Sequence, residues 1–231
     1  MIAPADLSAR LARVDASIVD AARACGRDPA SITRIVITKF HPADLVTHLH
    51  ALGVADVGEN RQQELAAKRA VVQIPELTWH FVGQVQTNKA RAVRRDADVV
   101  HSVDRVRLAD ALHDAADDDA RRLDVLVQVN LTDDPARGGV APKGIEDLAE
   151  HILARCPTLT LRGVMAVAPL GEPPVAAFER LAGVAERLRA VSPAAGWISA
   201  GMSGDFREAI AAGATHLRIG SAITGPRPAR G

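Results

Sequence analysis

The 231-residue chain contains no tyrosine, and its other large aromatics are four phenylalanines and two tryptophans. Any mechanism that draws a phenolic acid or base from this chain is therefore excluded. Cysteine is also scarce. Cys25 and Cys156 stand far apart without ligand spacing, so they read as free thiols of a reducing cytoplasm rather than as a disulfide, and no metal site is expected. Neither sign of charge is in excess, since 28 Lys and Arg match 28 Asp and Glu. That balance removes the electrostatic case for nucleic acid or an anionic membrane surface as partner. No stretch approaches the roughly 20 apolar residues of a membrane span. Residues 1–15 alternate charged and apolar side chains and lack the apolar segment of a secretory signal. A cytoplasmic location is the resulting expectation.

The apolar residues that are present follow two periods. Residues 6–24 repeat Leu7, Leu11, Val14 and Ile18 at helical spacing, predicting an N-terminal amphipathic helix that ends near Gly26 and Pro29. Short β-branched runs then recur at 34–39, 54–58, 78–82, 98–102, 124–130, 160–167, 196–200 and 216–220. Helical patterns separate them at 42–52, 61–72, 87–95, 106–116, 143–155, 174–190 and 205–212. Strict strand–helix alternation implies right-handed βαβ units and a parallel sheet. Eight strands close a barrel, whereas doubly wound sheets usually stop at about five or six. The expectation is an α/β fold: one (β/α)8 TIM barrel spanning 1–231 with an extra N-terminal helix. The 131–142 segment reads as a long βα loop, and Pro226 and Pro228 leave little room for a final helix.

A barrel of this type carries its active site at the C-terminal ends of the strands. Those ends hold Lys39, Asn60, Gln84, Ser102, Asn130, Met165, Ser203 and Ser221, a ring of polar and small residues on otherwise apolar strands. Lys39 follows Ile35-Val36-Ile37-Thr38. A lysine ending such a strand has a desolvated stem, which leaves its amine partly neutral and nucleophilic toward aldehydes. By position alone it also fits a strand-end lysine that snorkels into solvent. The loops after strands seven and eight carry Gly201, Ser203, Gly204, Gly220 and Ser221, where barrels often place a phosphate. These glycines also suit tight turns, but their clustering at both loops favours the phosphate. An amine and a phosphate cradle on one rim suit an aldehyde-bearing phosphorylated cofactor, and pyridoxal 5′-phosphate (PLP) has that pair of handles.

At these residues the sequence resembles the pyridoxal phosphate homeostasis proteins, whose fold is like the N-terminal barrel domain of alanine racemase. The resemblance covers nearly the whole chain. It runs through Val36-Ile37-Thr38-Lys39-Phe40-His41-Pro42, Gly58-Glu59-Asn60-Arg61-Gln62-Gln63-Glu64 and Trp79-His80-Phe81-Val82-Gly83-Gln84-Val85-Gln86-Thr87-Asn88-Lys89. It continues through Arg162-Gly163-Val164-Met165-Ala166, Gly201-Met202-Ser203-Gly204-Asp205-Phe206 and Arg218-Ile219-Gly220-Ser221-Ala222-Ile223. The chain departs from the family at Thr38, where serine is usual, at Ser221, often threonine, and at Arg137, where the loop after strand five commonly carries lysine. The resemblance implies a Schiff base between PLP and Lys39. It also implies Asn60 and Met165 beside the cofactor, Ser203 with the Gly220 and Ser221 amides on the phosphate, and Arg218 facing the pyridine nitrogen. It assigns no role to the 79–89 motif, for which a structural role of Trp79 and His80 is expected.

An arginine against the pyridine nitrogen keeps that nitrogen unprotonated, because two positive charges repel. The ring is then a weak electron sink, unsuited to decarboxylation or transamination. Racemisation tolerates the arrangement but needs an acid/base on each face of the substrate. Alanine racemase-like enzymes take one of these, a tyrosine, from a second domain. The expectation is a monomeric, non-catalytic carrier with no catalytic residues, whose partners are PLP and PLP-dependent apoenzymes. A stand-alone racemase using Lys39 with water or His80, and a phosphometabolite binder without a Schiff base, are the alternatives.

Overall fold

The computed structural model describes residues 4–117 and 121–227; Pro228 lies outside the described residues. Eight strands form a closed parallel barrel in sequence order. They are β1 (Thr33–Ile37), β2 (Asp56–Glu59), β3 (Thr78–Phe81), β4 (Val99–Val103), β5 (Leu123–Gln128), β6 (Leu159–Met165), β7 (Trp197–Ser199) and β8 (His216–Ile219). The helices are α1 (Pro4–Ala24), α2 (Ala43–Ala51), α3 (Gln62–Val71), α4 (Ala90–Asp96), α5 (Val106–Asp114), α6 (Ile145–Arg155), α7 (Pro174–Val191), α8 (Phe206–Ala211) and α9 (Ser221–Thr224). Closure is direct: Val36 on β1 lies opposite Val57 on β2 and Ile219 on β8.

The side-chain alternation of β1 shows how the two layers arise. Val36 joins the continuous apolar layer between strands and helices. Ile35 and Ile37 point the other way, into the barrel interior beside Gly58 of the adjacent strand β2. That interior is only partly apolar. Val99, Leu126 and Met165 form a small cluster there, with Trp197 packed against it. His80, His101, Ser199, His216 and Arg218 are buried as well, and such polar groups require partners.

Every expected strand and helix is present, with ends shifted by a few residues. Among the described residues only a four-residue helix, α9, follows β8. α1 packs its buried Leu7, Leu11, Val14, Ile18 and Ala22 against the fold beside α8 and α9, supplying the outer cover that a full helix after β8 would provide. The 131–142 loop is ordered by short 3-10 turns at Pro135–Arg137 and Pro142–Gly144. No described helix is long and apolar enough to cross a membrane.

Candidate functional site

All eight strands are parallel, so their C-terminal ends share one rim. Lys39 follows β1, Asn60 follows β2, Ser203 lies beyond β7, and Gly220 and Ser221 follow β8. The structure thus brings these five residues to the same mouth. Arg218 and Met165 are buried below it, the latter within the interior apolar cluster.

The desolvated stem expected of Lys39 is not found. β1 stops at Ile37 and Lys39 is an exposed residue of the following turn. The cause is local: Thr38 N–H still donates to Gly58 O, but Thr38 O accepts from His41 N–H and from Lys68 Nζ, which turns the chain away from the sheet. Phe40 then takes φ +68°, the left-handed region that costs a side-chain-bearing residue energy. Its N–H donates to Glu64 Oε2 at 2.7 Å. Behind the turn, Lys68 Nζ and Thr38 Oγ1 each donate to Glu59 Oε1 at 2.5 Å. Burial holds the Glu59 carboxyl above the usual carboxylate range, opposed by the Lys68 charge. The 58–64 motif is therefore the support of the Lys39 turn.

Asn60 sits against a backbone that only glycine permits. A Cβ on Gly83 would lie 2.1 Å from Asn60 O, so the chain after β3 packs directly onto the one after β2. Asn60 Oδ1 is buried without a hydrogen-bond partner among the described residues, which is costly for a polar atom unless a ligand supplies the bond.

At the far side of the rim, Ala222 N–H donates to Ser203 Oγ at 3.3 Å, joining the loops after β7 and β8. Of the glycines there, Gly201 is demanded by geometry: its φ is +89°, and a Cβ would lie 2.9 Å from Phe206 Cα. Gly204 and Gly220 are different. Neither has a positive φ, and a Cβ on Gly204 would meet nothing within 4 Å, while one on Gly220 would make only ordinary contact with Ile37. The tight-turn reading accounts for Gly201 alone.

The Arg218 guanidinium forms the floor. It donates to Ser199 Oγ at 2.7 Å and to Ala166 O at 2.8 Å. Burial lowers it to about 10, with Asp205 opposing, and it forms no ion pair among the described residues. Ser199 leads on to His101 and His80; the sequence offers His80 only as the second base of the racemase alternative, and it singles out neither His101 nor Ser199. The signal was available: histidines at 80 and 101 and the serine at 199 share the inward parity of Arg218, but only the register places them in contact. Burial, reinforced by His80, Arg218 and His216, holds His101 well below the ordinary histidine range.

Other candidate acid/bases lie elsewhere. His80 bonds through both ring nitrogens, to His101 and Asp56, inside the barrel. Trp79, its neighbour, is buried in the outer apolar layer. Cys25 is exposed after α1 and Cys156 is buried at the end of α6. Cys156 does have company that its spacing did not reveal: Asp110 Oδ1 receives the His151 ring nitrogen at 2.6 Å and the Cys156 thiol at 3.7 Å.

Fold and rim together define a barrel of the alanine racemase N-terminal domain class, and residues 30–228 match that family. The chain is 39% identical over 224 residues to the pyridoxal phosphate homeostasis protein of Pseudomonas aeruginosa, covering 96% of each. PipY of Synechococcus elongatus, solved with PLP bound, superposes with a TM-score of 0.83 at 33% identity, covering 95% of this chain and 100% of that one. Alanine racemase from Corynebacterium glutamicum shares the fold alone, with a TM-score of 0.68 at 15% identity over 99% of this chain and 62% of that one. The chain belongs to the pyridoxal phosphate homeostasis protein family.

Proposed function

We propose that this chain binds PLP at the barrel mouth and serves cofactor homeostasis, holding and releasing PLP without catalysis of its own. The observation that carries the reading is a lysine amine on the same rim as two joined loops, above a buried arginine. The residues fit the group. Lys39 would bind the aldehyde, while Ser203 and the Gly220 and Ser221 amides would take the phosphate. Asn60 would offer its unpartnered amide, Arg218 would face the pyridine nitrogen, and Met165 would pack below. When bound, PLP supplies an electrophilic aldehyde and a conjugated ring.

Exposure of Lys39 suits exchange with incoming amines better than burial would. Arg218 disfavours a proton on the ring nitrogen, which weakens the ring as an electron sink. No second acid/base stands at the rim from tyrosine or cysteine, and His80 is occupied within the barrel. These points support a carrier over a racemase. We further propose that the chain acts as one domain over 1–231, as a cytoplasmic monomer that delivers PLP to dependent apoenzymes.

The test is the absorbance of the PLP-treated protein beside Lys39→Ala, followed by borohydride reduction and peptide mapping. The wild type should be yellow and carry added mass at Lys39 alone. Mass on another lysine would defeat the site, and a D/L exchange rate on free amino acids would defeat the non-catalytic reading.

A further inference from the structure

Four hydrogen bonds run end to end through the barrel. Arg218 donates to Ser199 Oγ at 2.7 Å, Ser199 Oγ lies 2.9 Å from His101 Nδ1, His101 Nε2 lies 2.9 Å from His80 Nδ1, and His80 Nε2 lies 3.0 Å from Asp56 Oδ1. Ser199, His101 and His80 are buried, and Asp56 opens β2 at the opposite end from the mouth.

The chemistry of the two ends dictates where each proton sits. A guanidinium only donates, and a carboxylate only accepts. Ser199 accepts from Arg218 and keeps its single proton free to turn toward His101 Nδ1. A neutral His101 then carries its proton on Nε2 and donates to His80 Nδ1. His80 in turn carries its proton on Nε2 and donates to Asp56. Starting from Asp56 gives the same order, because a bare His80 Nε2 would set two acceptors face to face. With both rings neutral and Asp56 ionised, one arrangement satisfies every atom.

We propose that Ser199, His101, His80 and Asp56 are positioning residues: a one-way hydrogen-bond relay that fixes the Arg218 guanidinium at the floor of the mouth and connects its charge to a carboxylate at the far end of the barrel. A buried cation without a direct carboxylate partner is costly. Four bond dipoles aligned from cation to anion stabilise it without bringing a carboxylate to the mouth, where it would repel an anionic ligand. The direction of low proton affinity at His101 agrees with the neutral ring this order needs. The relay also gives the 79–89 motif a function through His80. It rests on the PLP-binding reading only for what Arg218 faces.

Proton order is measured on the full chain by long-range 1H–15N correlation of the histidine rings, with and without PLP. Both His80 and His101 should carry the proton on Nε2 alone. A proton on Nδ1 of either ring overturns the relay, whatever the protein binds. Ser199→Ala, which removes the side-chain acceptor of Arg218 and leaves it only Ala166 O, should weaken PLP binding about tenfold, whereas Ser199→Thr should stay within about threefold of wild type. The absorbance band of bound PLP should shift in Ser199→Ala and return in Ser199→Thr. Unchanged affinity and spectrum in Ser199→Ala would overturn the positioning role. A colourless wild type with the expected tautomers would instead sink the PLP reading and leave the relay intact.

Discussion

The backbone N–H of Phe40 donates to the Glu64 carboxylate at 2.7 Å, and Phe40 is the one non-glycine residue among those described that adopts a left-handed backbone, at φ +68°. The bond is charge-assisted and sits one residue beyond Lys39. It holds the turn that lifts the lysine off the strand and into the mouth.

Removing that acceptor should therefore act on both stability and binding. Glu64→Ala is expected to lower stability by about 2 kcal/mol, in the range of a hydrogen bond to a charged group. PLP affinity should fall with it, because the Lys39 amine loses its fixed approach. Glu64→Gln, which keeps an acceptor, should cost less. Urea unfolding and PLP titration of the three proteins check this, and equal losses in Gln and Ala would contradict it.

Glu59 and Lys68 form a buried pair whose second carboxylate oxygen, Oε2, has no partner among the described residues. Breaking one side leaves a buried charge uncompensated. Lys68→Met is expected to destabilise by about 3–5 kcal/mol, and adding Glu59→Gln should recover part of the loss. A double-mutant cycle in urea measures the coupling. Additive effects would mean the two groups do not compensate each other.

His216 stacks on Trp197 with ring centroids 4.2 Å apart, and its Nδ1 lies 2.8 Å from Thr215 Oγ1. Burial lowers it from 6.5 to about 4, reinforced by the neighbouring His80 and opposed by Asp56. The unfolded chain therefore takes up this proton first as pH falls. Stability from the neutral ring is complete above the unfolded value of about 6.5 and is lost as pH drops toward 4, by about 3 kcal/mol. His101 shifts in the same direction. The raised Glu59 titrates with the opposite sign, so the comparison should be with His216→Gln, whose urea midpoint should fall less over this interval.

The two thiols differ in access. Cys25 is exposed, whereas Cys156 is buried and raised to about 11, first by burial and then by Asp110. The thiolate is the reactive form. Ellman's reagent should therefore label one thiol in the folded protein and both in urea. Labelling of both in the fold would show that α6 opens.

Much of this site was legible before any fold was described. Lys39, Asn60, Ser203, Gly220 and Ser221 could be placed on one rim because each follows an apolar run, and parallel strands put such positions at one end. Lys39 was misjudged in one respect. Its strand residues announce a buried run, but the strand ends two residues earlier, where Thr38 O is claimed by Lys68 from thirty residues away. The relay was not legible, since nothing local links Asp56, His80, His101 and Ser199.

What the sequence determines by itself is what repeats or depends on residue type. The β-branched runs and helical spacing specify an alternating barrel, and the lack of tyrosine removes a phenolic catalyst. The tertiary structure decides what depends on barrel closure. Strand register selects which inward side chains meet, so the neutral histidines, the buried arginine and the distant carboxylate become one connected series only when β8 closes against β1. Hydrogen bonds act over about 3 Å, and no pattern along the chain encodes a distance that short between residues so far apart.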